Sequence, residues 1–139
     1  MTHFLTIEDV EHIAFRYAQK HLAYNEPIPP FNSRFPNQLE TALRIPAKSI
    51  GGKLMYEPLS KQAGVLFYEM IKLHPFENGN KRIACVTLLT FLMLNKMWMN
   101  ITQDEIYNLA IQVANSDAQN RHNVLDELAI FLEKNIQAE

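Results

Sequence analysis

Between Ile83 and Leu94 the chain runs Ile-Ala-Cys-Val-Thr-Leu-Leu-Thr-Phe-Leu-Met-Leu without a single charge. A helix that is apolar nearly all round its circumference cannot sit on a surface. It has to lie at the centre of a bundle, with other helices covering it. The stretch is too short to cross a bilayer and contains Thr87 and Thr90, so it reads as a buried core helix starting near Asn80. Whatever the fold is, it is built around this segment.

The covering helices are legible from their caps and periodicity. Thr6 is a good N-cap with Asp9 three residues on, and Ile7, Val10, Ile13, Ala14 and Tyr17 then recur at helical spacing. That helix is predicted to fade near Tyr24-Asn25, before Pro27. Four prolines between Pro27 and Pro36, interleaved with Phe31 and Phe35, predict an ordered loop, because a linker would be less apolar. A short helix is expected after Asn37, carrying Leu39, Ala42, Leu43 and Ile45 and stopped by Pro46. Gly51-Gly52 sits between short mixed segments from Ser49 to Tyr56, a hairpin signal, so Ile50, Gly51, Gly52, Lys53 and Leu54 are expected to form an extended flap.

Pro58 suits the first turn of a helix running to about Leu73, with Val65, Leu66, Met70 and Leu73 inward. Thr102 and Glu105 form a capping box for a helix carrying Ile106, Leu109 and Val113. A last helix is expected from about Asn120 to Ile136. The prediction is an all-α bundle of about six helices with a short β-hairpin flap. At 139 residues it makes one domain over the whole chain, 1–139.

Charge and cysteine content narrow the function classes. The formal net charge is -2 and no Lys/Arg run exists, so the electrostatic footprint of a nucleic-acid binder is missing. Cys85 is the one cysteine, which rules out a disulfide within the chain and fits a reducing compartment. The N-terminus has neither a basic n-region nor an apolar h-region, so a cytoplasmic protein without membrane association is expected. His3, His12, His21 and His122 lack metal-ligand spacing and read as surface or structural. Met93, Met97, Trp98 and Met99 read as core packing.

The chemistry is concentrated in the loop His74-Pro75-Phe76-Glu77-Asn78-Gly79-Asn80-Lys81-Arg82. The second of its two flanking helices starts near Gly79-Asn80, so free backbone N–H groups and the positive end of the helix dipole face the loop. Gly79 allows close backbone approach. Lys81 and Arg82 place two positive charges where they oppose the dipole, and an anion such as phosphate would offset them. His74, at the end of the preceding helix, can act as a base at neutral pH. On the residues alone, a base beside a phosphate cradle and a plain Asn/Gly turn both stand.

The pattern His-Pro-Phe-x-x-Gly-Asn-x-Arg resembles the Fic motif, and with Lys81 between Asn80 and Arg82 it is similar to the Doc (death-on-curing) branch. The likeness extends to Phe4–Val10, to the Ile50–Tyr56 flap and to the helix ending Phe91-Leu92-Met93-Leu94-Asn95. It implies that His74 deprotonates a hydroxyl on a target protein and that Phe76 packs inward to shape the loop. It further implies that Gly79, Asn80, Lys81 and Arg82 bind the nucleotide, ATP or another nucleoside triphosphate. Adenylylating members have glycine where Lys81 stands. In Doc-like members the lysine goes with a reversed nucleotide, so phosphoryl transfer is favoured over AMP transfer. Cys85 stands where the adenylylating motif has its second arginine, which points the same way. The alternatives are an adenylyltransferase, or a disabled Fic fold that only binds a partner.

The family has Asp or Glu on Mg²⁺ at the position of Asn78, whose neutral carbonyl oxygen is a weaker ligand for a hard cation. Glu77 is acidic but one position away. The family's inhibitory pattern, [Ser/Thr]-x-x-x-Glu-[Gly/Asn], occurs nowhere in the chain. Restraint is therefore expected from a second chain, as in a toxin with its antitoxin, with a translation component as the family-level expectation for the target. The flap is expected to take up an extended target segment by strand addition.

Overall fold

The computed structural model describes residues 1–22 and 26–139. The predicted fading of the first helix near Tyr24-Asn25 lies outside them. Thr6 caps the start as expected: its hydroxyl accepts the Asp9 N–H at 3.1 Å and the Asp9 carboxylate accepts the Thr6 N–H at 3.0 Å. The helical run then passes through α1 (Ile7–Asp9), a π-helical stretch (Val10–Phe15) and α2 (Arg16–His21). The π stretch was not visible in the 3.6-residue periodicity. It turns Val10, Ala14 and Phe15 into the core.

α3 (Pro36–Arg44) begins at its proline, ahead of the predicted start after Asn37, because a fixed φ suits the first helical position. Ile45 falls in the 3-10 turn Ile45–Ala47 instead of α3. The flap is present. β1 (Ser49–Ile50) and β2 (Lys53–Leu54) pair antiparallel, Ser49 opposite Leu54, through a turn in which Gly51 and Gly52 take φ of 60° and 79°. Two positive φ values in a two-residue loop are what glycines supply without strain.

α4 (Leu59–Lys72) and α5 (Asn80–Leu94) together form the centre. α5 is buried over most of its surface, with Val86, Leu89 and Met93 facing a groove, and Thr87 and Thr90 satisfy their buried hydroxyls on the Ile83 and Val86 carbonyls, at 2.7 and 2.8 Å. α4 is buried on nearly every side too, including Ser60, Gln62 and Glu69, so the amphipathic reading of it was too modest. Leu73, expected inward, is only half-buried beyond its last turn. α6 (Gln103–Asn115), with its Thr102/Glu105 capping box at 3.1 Å in both directions, and α7 (Arg121–Asn135) pack on this pair. Counting Ile7–His21 as one run, the described residues hold six helical segments, and the fold is all-α.

One element was missed. β3 (Met97–Met99) pairs antiparallel with β4 (Ile136–Ala138), Trp98 opposite Gln137, so the last helix stops at Asn135 and Ile136 opens a strand. Three-residue strands far apart in sequence carry too little alternation to be read locally. The core assignment of Met93, Met97, Trp98 and Met99 is corrected on α5 and on this ribbon. Met99 is buried, but Met93 and Trp98 are 43% and 52% exposed. Among the described residues no helix is long and apolar enough to cross a membrane.

Candidate active site

His74 follows the end of α4 in the left-handed region, at φ 50°. Pro75 behind it disfavours the right-handed helical conformation, and a left-handed non-glycine residue is strained by about 1–2 kcal/mol. Such strain persists only where the surroundings hold it. Here they do so through Phe76 and Asn80. Phe76 is 3% exposed, with its ring 5.3 Å from Phe15 and 6.0 Å from Phe31, while Phe15 and Phe31 lie edge to face at 5.0 Å. The proline-rich loop is therefore ordered as expected, and its Phe31 braces the active loop. Its neighbour Phe35 donates its N–H to the Pro75 carbonyl at 2.8 Å.

Asn80 is 6% exposed and its amide closes the loop from inside. Its Oδ1 accepts the Phe76 N–H at 3.0 Å and its Nδ2 donates to the Phe76 carbonyl at 2.8 Å. Phe76 thus fixes which way the amide points, and Nδ2 is left 3.1 Å from His74 Nδ1. Nδ1 accepts there, so the neutral ring carries its proton on Nε2. Taking a hydroxyl proton first requires the ring to give up its contact with Asn80, either by turning or by carrying its proton on Nδ1 instead. The side chain of Asn80 serves the loop, and what it can offer an anion is its backbone N–H.

Gly79 has φ 77° and caps α5. A Cβ there would be strained by the positive φ and, at 3.0 Å from Ile28 and 3.2 Å from the Arg82 guanidinium, would need both side chains to give way by a few tenths of an ångström. Asn78 Oδ1 accepts the Gly79 N–H at 2.8 Å. That is the oxygen a metal would need. With Glu77 as the adjacent carboxylate, and no group of three or more His, Cys, Asp or Glu able to hold a metal among the described residues, the loop does not fit a Mg²⁺ site of its own.

His74, Glu77, Asn78, Gly79, Lys81 and Arg82 line a polar cavity of about 110 Å³ at the start of α5. The structure thus brings together the residues proposed for base and anion. Arg82 is engaged: its Nη1 donates to the Leu22 and Glu26 carbonyls, the latter at 2.9 Å, and its Nη2 lies 3.8 Å from the Glu26 carboxylate. Gripping a phosphate means exchanging some of these partners. Leu22 and Glu26 were missed in the sequence, since nothing local links them to Arg82. Cys85 sits one turn further along α5, and burial pushes its thiol up to about 12, so it is protonated and unreactive at neutral pH.

The flap lies apart from the loop in sequence but is tied to α4. Arg121 of α7 bonds the Glu69 carboxylate at 2.9 Å and also bonds Tyr56, just beyond β2, with its guanidinium 5.5 Å from the centre of the Tyr68 ring. Burial alone would make Arg121 give up its proton more easily, but the bonds to Tyr56 and Glu69 outweigh it and raise the guanidinium above its ordinary value. Ile50 at the flap tip is 66% exposed.

The model of one protein family, described as the Fic/DOC family, matches residues 4–92, a span that contains the opening helical run, the flap and the whole loop. Neither the curated proteins nor the solved structures yield a match.

Proposed function

The chain belongs to the Fic/Doc family, and on that premise we propose that it moves the terminal phosphoryl group of a nucleoside triphosphate to a hydroxyl of a protein target. Family membership supports a transferase acting on proteins. The observation that carries the finer reading is the polar cavity at the N-terminus of α5, whose lining includes strained His74 together with Lys81 and Arg82. Its volume of about 110 Å³ suits one phosphate group. Lys81 borders it where adenylylating relatives have glycine, which favours a terminal phosphate there over an α-phosphate.

In this reading the His74 ring turns away from Asn80, its unprotonated nitrogen takes the proton of the target hydroxyl, and the hydroxyl oxygen attacks the γ-phosphorus. The bond from that phosphorus to the β,γ-bridging oxygen breaks, and the nucleoside diphosphate leaves with the electron pair. Negative charge on the transferred group faces the first N–H groups of α5 and the two cations, which is where preorganised donors act most strongly. Any Mg²⁺ would arrive with the nucleotide's phosphates. The flap holds the target segment by strand pairing.

Incubation of the protein with cell lysate and either γ-labelled or α-labelled ATP tests the proposal. Transfer of γ-label alone is expected. Transfer of α-label would establish nucleotidylation instead, and transfer of neither would leave a binding module.

A further inference from the structure

The flap stands clear of the body. Ser49, Ile50, Gly51, Gly52 and Lys53 are exposed, and a Cβ added at Gly51 or Gly52 would meet nothing within 4 Å among the described residues. What orients the flap is therefore its two legs. The first leg is apolar: the 3-10 turn Ile45–Ala47 packs on α4 with Pro46 buried, and the Lys48 carbonyl that follows accepts the Met55 N–H at 2.8 Å. The second leg is polar. Tyr56, next after Met55, takes a hydrogen bond from Arg121 of α7, and Arg121 also donates to the Glu69 carboxylate at 2.9 Å.

Glu69 is a firm end for this chain of bonds. It is buried in α4, and a buried carboxylate holds on to a cation because losing it is costly. It lies roughly 15 Å along α4 from Leu59 and about one and a half turns before His74. The bond from Arg121 to Tyr56 thus refers the flap to the half of α4 that ends at the base. A planar guanidinium suits the task, since its fixed fork serves two acceptors at once. An acceptor strand that adds to a held flap has to order only itself, whereas a loose flap has to be ordered along with it. We propose that Arg121 is a positioning residue: through Tyr56 and Glu69 it holds the flap in the pose that receives the protein acceptor beside His74. This rests on the transferase reading above.

Two variants and a control test this. Tyr56→Phe removes the bond while keeping the ring and the Arg121–Glu69 pair, and Arg121→Lys keeps the charge beside Glu69 but loses the fork. Lys72→Met is the control, because Lys72 bonds the Ala114 and Ser116 carbonyls and lies 6.0 Å from the centre of the same Tyr68 ring that Arg121 covers. Amide exchange, measured without any ligand, is expected to speed up over residues 48–55 in both test variants and to stay unchanged in α4 and α5. Lysate protein is then titrated as acceptor with γ-labelled ATP at saturation. The amount giving half-maximal incorporation should rise about three- to tenfold in both test variants at unchanged maximal rate, and should not move in Lys72→Met. Unchanged exchange in the flap, unchanged half-saturation, or an equal rise in Lys72→Met overturns the role of Arg121 and leaves the transferase reading standing. Absence of label transfer by the natural chain brings down that reading and this inference together.

Discussion

His74 and Asn80 form one unit. The histidine is held at φ 50° by a loop that the Asn80 amide braces from inside, spanning both backbone groups of buried Phe76. The motif displays both residues as letters, and the resemblance implied a nucleotide-binding role for Asn80. That its side chain turns inward was not legible, because the direction of an amide depends on Phe76, and Phe76 is placed by Phe15 and Phe31 from two distant segments. Asn80→Ala removes the partner of a buried N–H and a buried C=O together. It should destabilise the fold by roughly 2–4 kcal/mol, at about 1–3 kcal/mol for each orphaned group. Chemical denaturation measures it, and a loss below about 0.5 kcal/mol would mean that the strut is dispensable.

At the scale of elements, what could be read was what local chemistry determines. The two capping boxes, the Gly51-Gly52 hairpin and the uncharged α5 each announce themselves within a few residues, and each is present. The β3–β4 ribbon and the burial of α4 depend on partners far along the chain, and they were missed. The end of α5 shows the same dependence. The helix closes on Lys96 at φ 60°, with the Lys96 N–H donating to the Met93 carbonyl at 3.0 Å. That position favours glycine, whereas Lys96 is a strained, exposed side chain. Lys96→Gly should therefore raise stability by about 1 kcal/mol. A rise in denaturation midpoint at unchanged slope is the expected result, and a fall would show that the lysine side chain contributes more than its backbone strain removes.

The molecule as a whole places a thiol in its core. Cys85, near 9.0 when unperturbed, is pushed up to about 12 by burial. A raised value means that the folded state binds the proton more tightly than the unfolded chain. The resulting stability is complete below about pH 9 and is lost as pH rises toward about 12, at up to roughly 1.4 kcal/mol per pH unit. Denaturation between pH 8 and 11 should show this decline, and it should be shallower in Cys85→Ala. Equal slopes in the two proteins would mean that the thiol is not the group responsible. The molecule also lacks the family's inhibitory pattern in its own sequence. Co-expression with the product of the neighbouring open reading frame should yield a co-purifying antitoxin-like chain that relieves toxicity. Harmless overproduction of the protein alone, with no co-purifying partner, would remove the support for a toxin.

The central claim is that the His74 loop transfers a phosphoryl group. The most direct measurement compares γ-label incorporation into lysate protein by the natural chain and by His74→Ala. His74 is exposed, so the variant loses a base and little packing, and its fold can be verified by circular dichroism. Incorporation by the natural chain and a loss of about 10²–10⁴-fold in the folded variant are expected. Undiminished incorporation by folded His74→Ala, or α-label in place of γ-label on the target, would contradict it.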